Sequence, residues 1–205
     1  ARQGNQRYSH LVMLLESKES VISLLNMTKE QIPEKFPHSD IAASLDVDIQ
    51  GPLPDIVARA FKLFSGKKVF VAGDKFKSHT GKSGVRCTYK TQIGFLYPMK
   101  RQMLLVPHKT LLLMRYDQVD AMEARPPTGG SKTWDLTVRL KPTATEPAGM
   151  SVQLQTVGRE DFAPLISFFN DTDVPLANGK KMMDEVKRMQ RGGGKTSRRA
   201  AAAAA

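Results

Sequence analysis

The sequence predicts an α+β protein, mainly β, in which a series of short strands followed by one helix is used twice. Three observations carry that prediction. Apolar stripes at helical spacing occur at Leu53–Phe64 and again at Phe162–Phe169, each after short extended patterns. After Gly66 the apolar period changes from 3.6 to 2. One cysteine, Cys87, in 205 residues excludes an internal disulfide framework and a multi-cysteine zinc site. The fold must therefore rest on apolar burial, for which 40% hydrophobic residues suffice.

The elements are justified in chain order. Leu11–Leu15 and Val21–Met27 are apolar runs joined by Glu16–Ser20, which predicts a β-hairpin. Lys29–Phe36 is a short helical piece closed by Pro37. Gly51-Pro52 opens the clearest helix, with Leu53, Ile56, Val57, Ala60, Phe61 and Phe64 on one stripe and Gly66 as its stop. Two strands and one helix form a marginal core, so the native protein is expected to extend upstream of Ala1. The second unit should hold about seven strands. Val69–Val71 and Val85–Lys90 come first, with Arg86 and Lys90 turned away from the apolar face. Ile93–Tyr97, Met103–Val106, Leu111–Tyr116 and Val119–Ala124 follow, then Trp134–Leu140 and the return strand Met150–Val157. A helix starting near Glu160 buries Phe162, Leu165, Ile166 and Phe169, with Pro164 confined to its first turn. Lys180–Gln190 is a short helix that Gly192–Gly194 cannot continue.

Charge is distributed unevenly. The formal net charge is +11, and residues 67–109 alone carry ten basic residues against one acid, Asp74. The surplus is Lys67, Lys68, Lys75, Lys77, Lys82, Arg86, Lys90, Lys100, Arg101 and Lys109, a one-sided block that attracts polyanions. Residues 110–176 lean acidic, and 177–205 are basic again. No apolar run approaches the ~18 residues of a membrane span. A soluble, intracellular protein is expected.

Catalytic motifs fail on inspection. Thr80-Gly81-Lys82-Ser83 imitates the end of a phosphate-binding loop, but position 76, where that loop needs glycine, is Phe. His10, His38, His79 and His108 lack metal-ligand spacing and are expected as ordinary loop or strand residues. Cys87 falls on the apolar face of its strand, and Trp134 is phased with the core. No enzyme, cofactor or metal is predicted.

Several segments carry a resemblance. Arg2–Tyr8 (RQGNQRY) resembles the RQGQTRY segment of the smaller FACT subunit, the structure-specific recognition protein family, and Leu24–Met27 its LTLNM. Val85–Lys90 with Gly94–Met99 is similar to its CSYKA…GLLYPL, Thr133–Val138 to its SFDFEV, and Arg159–Phe162 to its REEY. The resemblance runs in order over residues 2–172 and implies that family's middle domain, two tandem pleckstrin-homology-like modules. Each such module is an antiparallel seven-stranded barrel or sandwich with a C-terminal helix. It implies residues 1–66 as the C-terminal half of the first module, incomplete at its N-terminus, and 67–173 as the second. Residues 174–205 are then a basic, flexible tail, where the family usually has an acidic stretch and often an HMG box.

What the resemblance implies for function is a nuclear, chromosome-bound histone chaperone that reorganises nucleosomes in transcription, replication and repair, paired with a larger FACT subunit. Charge then divides the labour. Lys67, Lys68, Lys75, Lys77, Lys82, Arg86, Lys90, Lys100 and Arg101 are expected on nucleosomal DNA, without sequence preference. Asp117, Asp120, Glu123 and Asp135 are expected on core histones. No membrane partner is expected in that frame. The alternative is a phosphoinositide-binding membrane adaptor using Lys77, Lys82, Arg86 and Lys90.

Overall fold

The computed structural model describes residues 2–3, 6–7, 13–24, 27–107, 111–143 and 148–202. Two units separate along the chain, residues 1–70 and 71–205.

In the first unit, strands β1 (Arg2–Gln3) and β2 (Gln6–Arg7) pair antiparallel. Strand β3 (Glu19–Ser23) pairs antiparallel with β4 (Asp48–Pro52), Ile22 opposite Ile49. This corrects the expected hairpin. Residues 13–18 form no strand, and Leu11, Val12, Leu25 and Asn26 lie outside the described residues. The partner strand comes instead from just before the helix, and the Leu53 amide closes the pair by donating to the Lys18 carbonyl at 2.9 Å.

Helix α1 (Gln31–Lys35) buries Ile32, and helix α2 (Leu53–Ser65) buries Ile56 and Leu63. The α2 stripe is rotated from the expected one. Ile56 and Leu63 face the core, while Phe61 and Phe64 are 53% and 54% exposed on its flank. Leu24, Ile32, Ala42, Leu45, Ile49, Ile56 and Leu63 form this unit's core. Gly66 ends α2 at φ +62°, its amide donating to the Lys62 carbonyl at 2.9 Å. That left-handed turn suits glycine, and a Cβ there would lie 2.6 Å from the His38 carbonyl oxygen. The His38 ring Nε2–H donates to the Phe64 carbonyl at 3.0 Å and the Ser39 hydroxyl to that of Lys62 at 3.3 Å, so the end of α2 is capped from a loop.

The second unit is a nearly closed, seven-stranded antiparallel sheet followed by helices, as its pleckstrin-homology-like resemblance implies. Its strands are β5 (Val85–Tyr89), β6 (Gln92–Pro98), β7 (Gln102–Pro107), β8 (Leu112–Arg115), β9 (Val119–Arg125), β10 (Thr133–Leu140) and β11 (Met150–Gly158). They lie in the order β8-β7-β6-β5-β11-β10-β9, so the first and last strands meet in the middle. Val69–Val71 is not a strand. Those three residues are 45–70% exposed; both sides of β5 are already paired, to β6 and β11, which leaves them no place beside it.

Alternation decides the layers. Val85, Cys87, Leu96, Met103, Leu105, Met114, Met122, Leu136, Val138, Val152 and Leu154 point inward onto helix α3 (Phe162–Asp171). A 3-10 turn, Arg159–Asp161, precedes α3, so the helix proper starts two residues later than expected. It buries Phe162, Leu165, Ile166, Phe168 and Phe169, with Trp134 edge-on to Phe162 at 5.0 Å. The Trp134 Nε1–H donates to the Gly158 carbonyl at 3.0 Å, so this ring packs and does not stack on a ligand.

The expected flexible tail is also corrected. Residues 174–177 run along β9, the Met122 amide donating to Pro175 and the Ala177 amide to Met122, both at 2.7 Å. That pairing covers a sheet edge. Helix α4 (Gly179–Ala202) follows, with Met182 and Val186 buried in the core. Its backbone stays helical through Gly192–Gly194: glycine costs about 1 kcal/mol each against alanine, a penalty that weakens a helix without forbidding it.

Candidate nucleic-acid interface

The basic block begins on the loop before β5. Over Lys75-Phe76-Lys77-Ser78-His79 burial alternates: Phe76 and Ser78 are buried, while Lys75, Lys77 and His79 are exposed. An extended chain with period 2 forces that result, since Phe76 must enter the core, where its ring meets Phe168 edge-on at 5.5 Å. The loop then folds back. The Ser78 amide donates to the Lys82 carbonyl at 2.8 Å and the Lys82 amide to the Ser78 hydroxyl at 3.1 Å. Gly81, at φ +77°, is part of that turn, and β5 follows it, so Thr80–Ser83 is a strand-entry turn with no phosphate-loop geometry.

A second pin comes from the far end of the unit. Asp161 is only 6% exposed and accepts from the His79 amide at 2.9 Å. The His79 ring Nδ1 stands 2.9 Å from the same Oδ1, which places the ring proton on Nδ1. These residues are 82 positions apart. Sequence reasoning treats His79 as a loop residue and Asp161 as a helix-end acid, and no spacing rule links them. Between the pins, Lys75, Lys77 and Lys82 project into water from a fixed backbone.

The other cations are placed by the sheet. Arg86 is on the outer face of β5, opposite Phe95. Lys100 and Arg101 occupy the β6–β7 turn, and the Tyr116 amide donates to the Arg101 carbonyl at 3.1 Å. Pairing of Val85 with Leu96 puts this turn at the same end of the sheet as Lys82. Lys90 is at the other end, in the β5–β6 turn, its Nζ 5.5 Å from the Tyr89 ring centre. Lys67 and Lys68 are exposed in the first unit, and Lys109 lies outside the described residues. The structure thus groups Lys75, Lys77, Lys82, Lys100 and Arg101 around the start of β5, with Arg86 one residue along. Lys77 and Lys82 stand before the strand and Lys90 after it, separated by its length of about 15 Å at ~3.3 Å per residue. Lys77, Lys82, Arg86 and Lys90 therefore do not line one phosphoinositide pocket.

The acids do not form one face. Asp117 pairs with Arg115, Nε to Oδ1 at 3.1 Å. Asp135 accepts from the Thr156 amide at 3.2 Å, bracing an irregularity where Thr156 has φ +55°. Asp135 also sits opposite Arg125, and Arg139 opposite Ala121, so cations interrupt the acidic strands. Asp120 and Glu123 are exposed without an ion pair among the described residues.

The remaining candidates are structural. Cys87 is 1% exposed, and burial pushes its thiol up to about 11. His10 and His108 lie outside the described residues. Among the described residues no group of three or more His, Cys, Asp or Glu side chains is placed to hold a metal ion. Within the same residues no helix is long and apolar enough to cross a membrane.

Two family models match the chain one after the other. Residues 1–69 match the family model described as SSRP1 PH domain, and residues 83–178 that of the histone chaperone Rttp106-like middle domain. The FACT complex subunit pob3 of Emericella nidulans is 31% identical over 193 residues, 92% of this chain and 31% of that protein. The pob3 of Aspergillus oryzae is 34% identical over 184 residues, 86% of this chain and 29% of its own length. Human FACT complex subunit SSRP1 is 27% identical over 177 residues, 86% of this chain and 23% of its own. The chain spans less than a third of the length of these relatives.

Proposed function

This chain belongs to the family of the FACT complex subunits pob3 and SSRP1, and from that membership we propose that it is the nucleosome-engaging middle region of a histone chaperone. It works by holding DNA and histones, making and breaking no covalent bond. Its partners are nucleosomal DNA, core histones and the other, larger FACT subunit, and its place is the nucleus, on chromosomes during transcription, replication and repair. The observation that carries the DNA part is a pinned loop and hairpin turn presenting Lys75, Lys77, Lys82, Lys100 and Arg101 at one end of the sheet. Arg86 and Lys90 elsewhere on the same unit, and Lys67 and Lys68 on the first unit, are further cations proposed to contact DNA. No helix presents side chains to a groove from this surface, so the contacts are to phosphates and carry no sequence preference. For histones, Asp120 and Glu123 are the exposed acids available, with Asp117 and Asp135 engaged within the fold. In the wider chain the division after residue 66, with the second module from residue 67, is the proposed domain boundary.

The test is duplex-DNA binding across a salt series. Replacing Lys75, Lys77, Lys82 and Arg86 by Glu removes up to four phosphate contacts. Each contact contributes about 0.9 to the slope of log K against log salt, so the slope should fall by up to about 3.6. Unchanged affinity and slope would discard the surface.

A further inference from the structure

The outer face of strands β5 to β8 is unusually apolar for a surface. Ile93, Phe95 and Leu113 point away from the core and are 55%, 43% and 46% exposed. Half-buried Tyr97, Leu104 and Val106 fill the space between them. The ladder joins them into one patch: Phe95 is opposite Val106, Tyr97 opposite Leu104, and Leu104 opposite Leu113. Isolated exposed leucines are ordinary, but a contiguous patch marks an interaction site.

Charge says what fits. Arg86 and Arg115 are on the same face, Arg115 paired with Asp117, with Lys90 beyond one end and Lys100 and Arg101 at the other. From Lys75 to Tyr116 the sequence contains no Asp or Glu. An occupant must therefore be apolar where it meets Ile93, Phe95 and Leu113, and anionic around them. Duplex DNA offers phosphates but little apolar surface. An anionic membrane is a poor match, because these side chains lie in the plane of a sheet and do not project as a loop tip that could enter a bilayer. We propose that this face docks an acidic amphipathic helix of a partner protein. The dimensions agree: two strand spacings give ~10 Å from β6 to β8. Seven helical residues rise about 10.5 Å, so anchors at i, i+4 and i+7 reach both rows. This site shares Arg86, Lys90, Lys100 and Arg101 with the proposed DNA set and is set apart from it at Lys75, Lys77 and Lys82.

The probe is a synthetic helical peptide with Phe and Leu at i, i+4 and i+7 and Asp or Glu elsewhere, added to the whole chain. Proton–nitrogen correlation spectra should move at β6, β7 and β8, a readout that needs no variant. The double substitution Phe95→Ser with Leu113→Ser, and separately Arg115→Glu, should weaken the peptide by at least about tenfold. Because Phe95 and Leu113 are exposed, the fold should survive; Ile93→Thr serves where it does not. Lys75→Glu with Lys77→Glu and Lys82→Glu should leave peptide affinity within about twofold while weakening DNA, so failure here and failure of the DNA surface are distinguishable. Four results would overturn the proposal: no shifts on β6–β8; equal binding of a peptide with Lys in place of Asp and Glu; phosphatidylserine vesicles binding through Phe95 and Leu113 while the peptide does not; or sedimentation showing that the patch pairs two copies of this chain.

Discussion

Asp161→Ala tests how the basic loop is held. The substitution removes a carboxylate that is 6% exposed and accepts two hydrogen bonds from His79, one from the amide and one from the ring. A hydrogen bond to a charged group is worth about 1.5–3 kcal/mol net, and the ring bond falls below that range, at about 1 kcal/mol or less, because the His79 side chain is 42% exposed and water replaces it. The amide is the larger loss, since it keeps no partner once the acceptor is gone. A destabilisation of about 2–3 kcal/mol follows, or roughly 6–12 °C in Tm for a unit of this size. Asp161→Asn retains an acceptor and should lose about half as much; His79→Ala keeps the amide bond and should lose about 1 kcal/mol or less. The assay is thermal unfolding of the three variants side by side. If His79→Ala matches or exceeds Asp161→Ala, or if Asp161→Ala leaves Tm within about 1 °C, the loop is not held from α3.

Two further expectations concern other parts of the molecule. Gly66→Ala should destabilise the first unit by about 2–4 kcal/mol, read in urea unfolding, because alanine resists φ +62° and its Cβ meets the His38 carbonyl oxygen at 2.6 Å. A wild-type midpoint would refute that turn. Stability should also fall as pH rises from about 9 to about 11, the window between the ordinary and buried states of the Cys87 thiol. There the folded chain binds more protons than the unfolded one, and at neutral pH both hold the proton, so no effect is expected. Burial raises the Tyr116 phenol as well, against a smaller opposing effect of the Met99 backbone, and its buried hydroxyl has no well-formed hydrogen bond among the described residues, so Tyr116→Phe should be near neutral or stabilising and should flatten the alkaline loss. Denaturant midpoints against pH for wild type, Cys87→Ala and Tyr116→Phe decide it; an identical alkaline decline in all three would refute it.

What was legible in the sequence depended on continuity of pattern. Phe162, Leu165, Ile166 and Phe169 repeat without interruption, and α3 buries all four. Trp134, Leu136 and Val138 alternate cleanly and form the inner side of β10. Strand β4 was not legible, because Ile49 is its only buried residue and Gly51-Pro52 follows directly. Val69–Val71 misled for the opposite reason: it has strand composition, but β5, the strand it precedes, is already paired on both sides. In α2 the buried side centres on Ile56 and Leu63, since the stripe could be drawn through either Leu63 or Phe64 and only packing against Ile32 and Ile49 selects. For the candidate site, the charges could be listed from the sequence but their grouping could not. Lys90 falls at the wrong end of β5, and the acids Asp117 and Asp135 are occupied by Arg115 and Thr156. Such pairings are contacts between strands, and a list of charges along a chain cannot contain them.

For the proposed phosphate-reading surface, the pinned loop gives a reason for a defined shape. A free loop of seven residues would give up about 1 kcal/mol or more per residue when ordered by DNA, comparable to what its lysines gain there. Phe76 in the core, the Ser78–Lys82 turn and the Asp161 carboxylate meet that ordering cost during folding instead. What remains on binding is the rotamer freedom of three lysine side chains. Affinity should then depend on the backbone anchor as well as on charge. In Asp161→Ala the net charge rises by one, which favours DNA, while the loop loses its pin, which opposes it. If preorganisation dominates, DNA binding weakens by roughly three- to tenfold at fixed salt although the protein has become more basic. If affinity instead increases, charge alone governs this surface and the pin serves stability only.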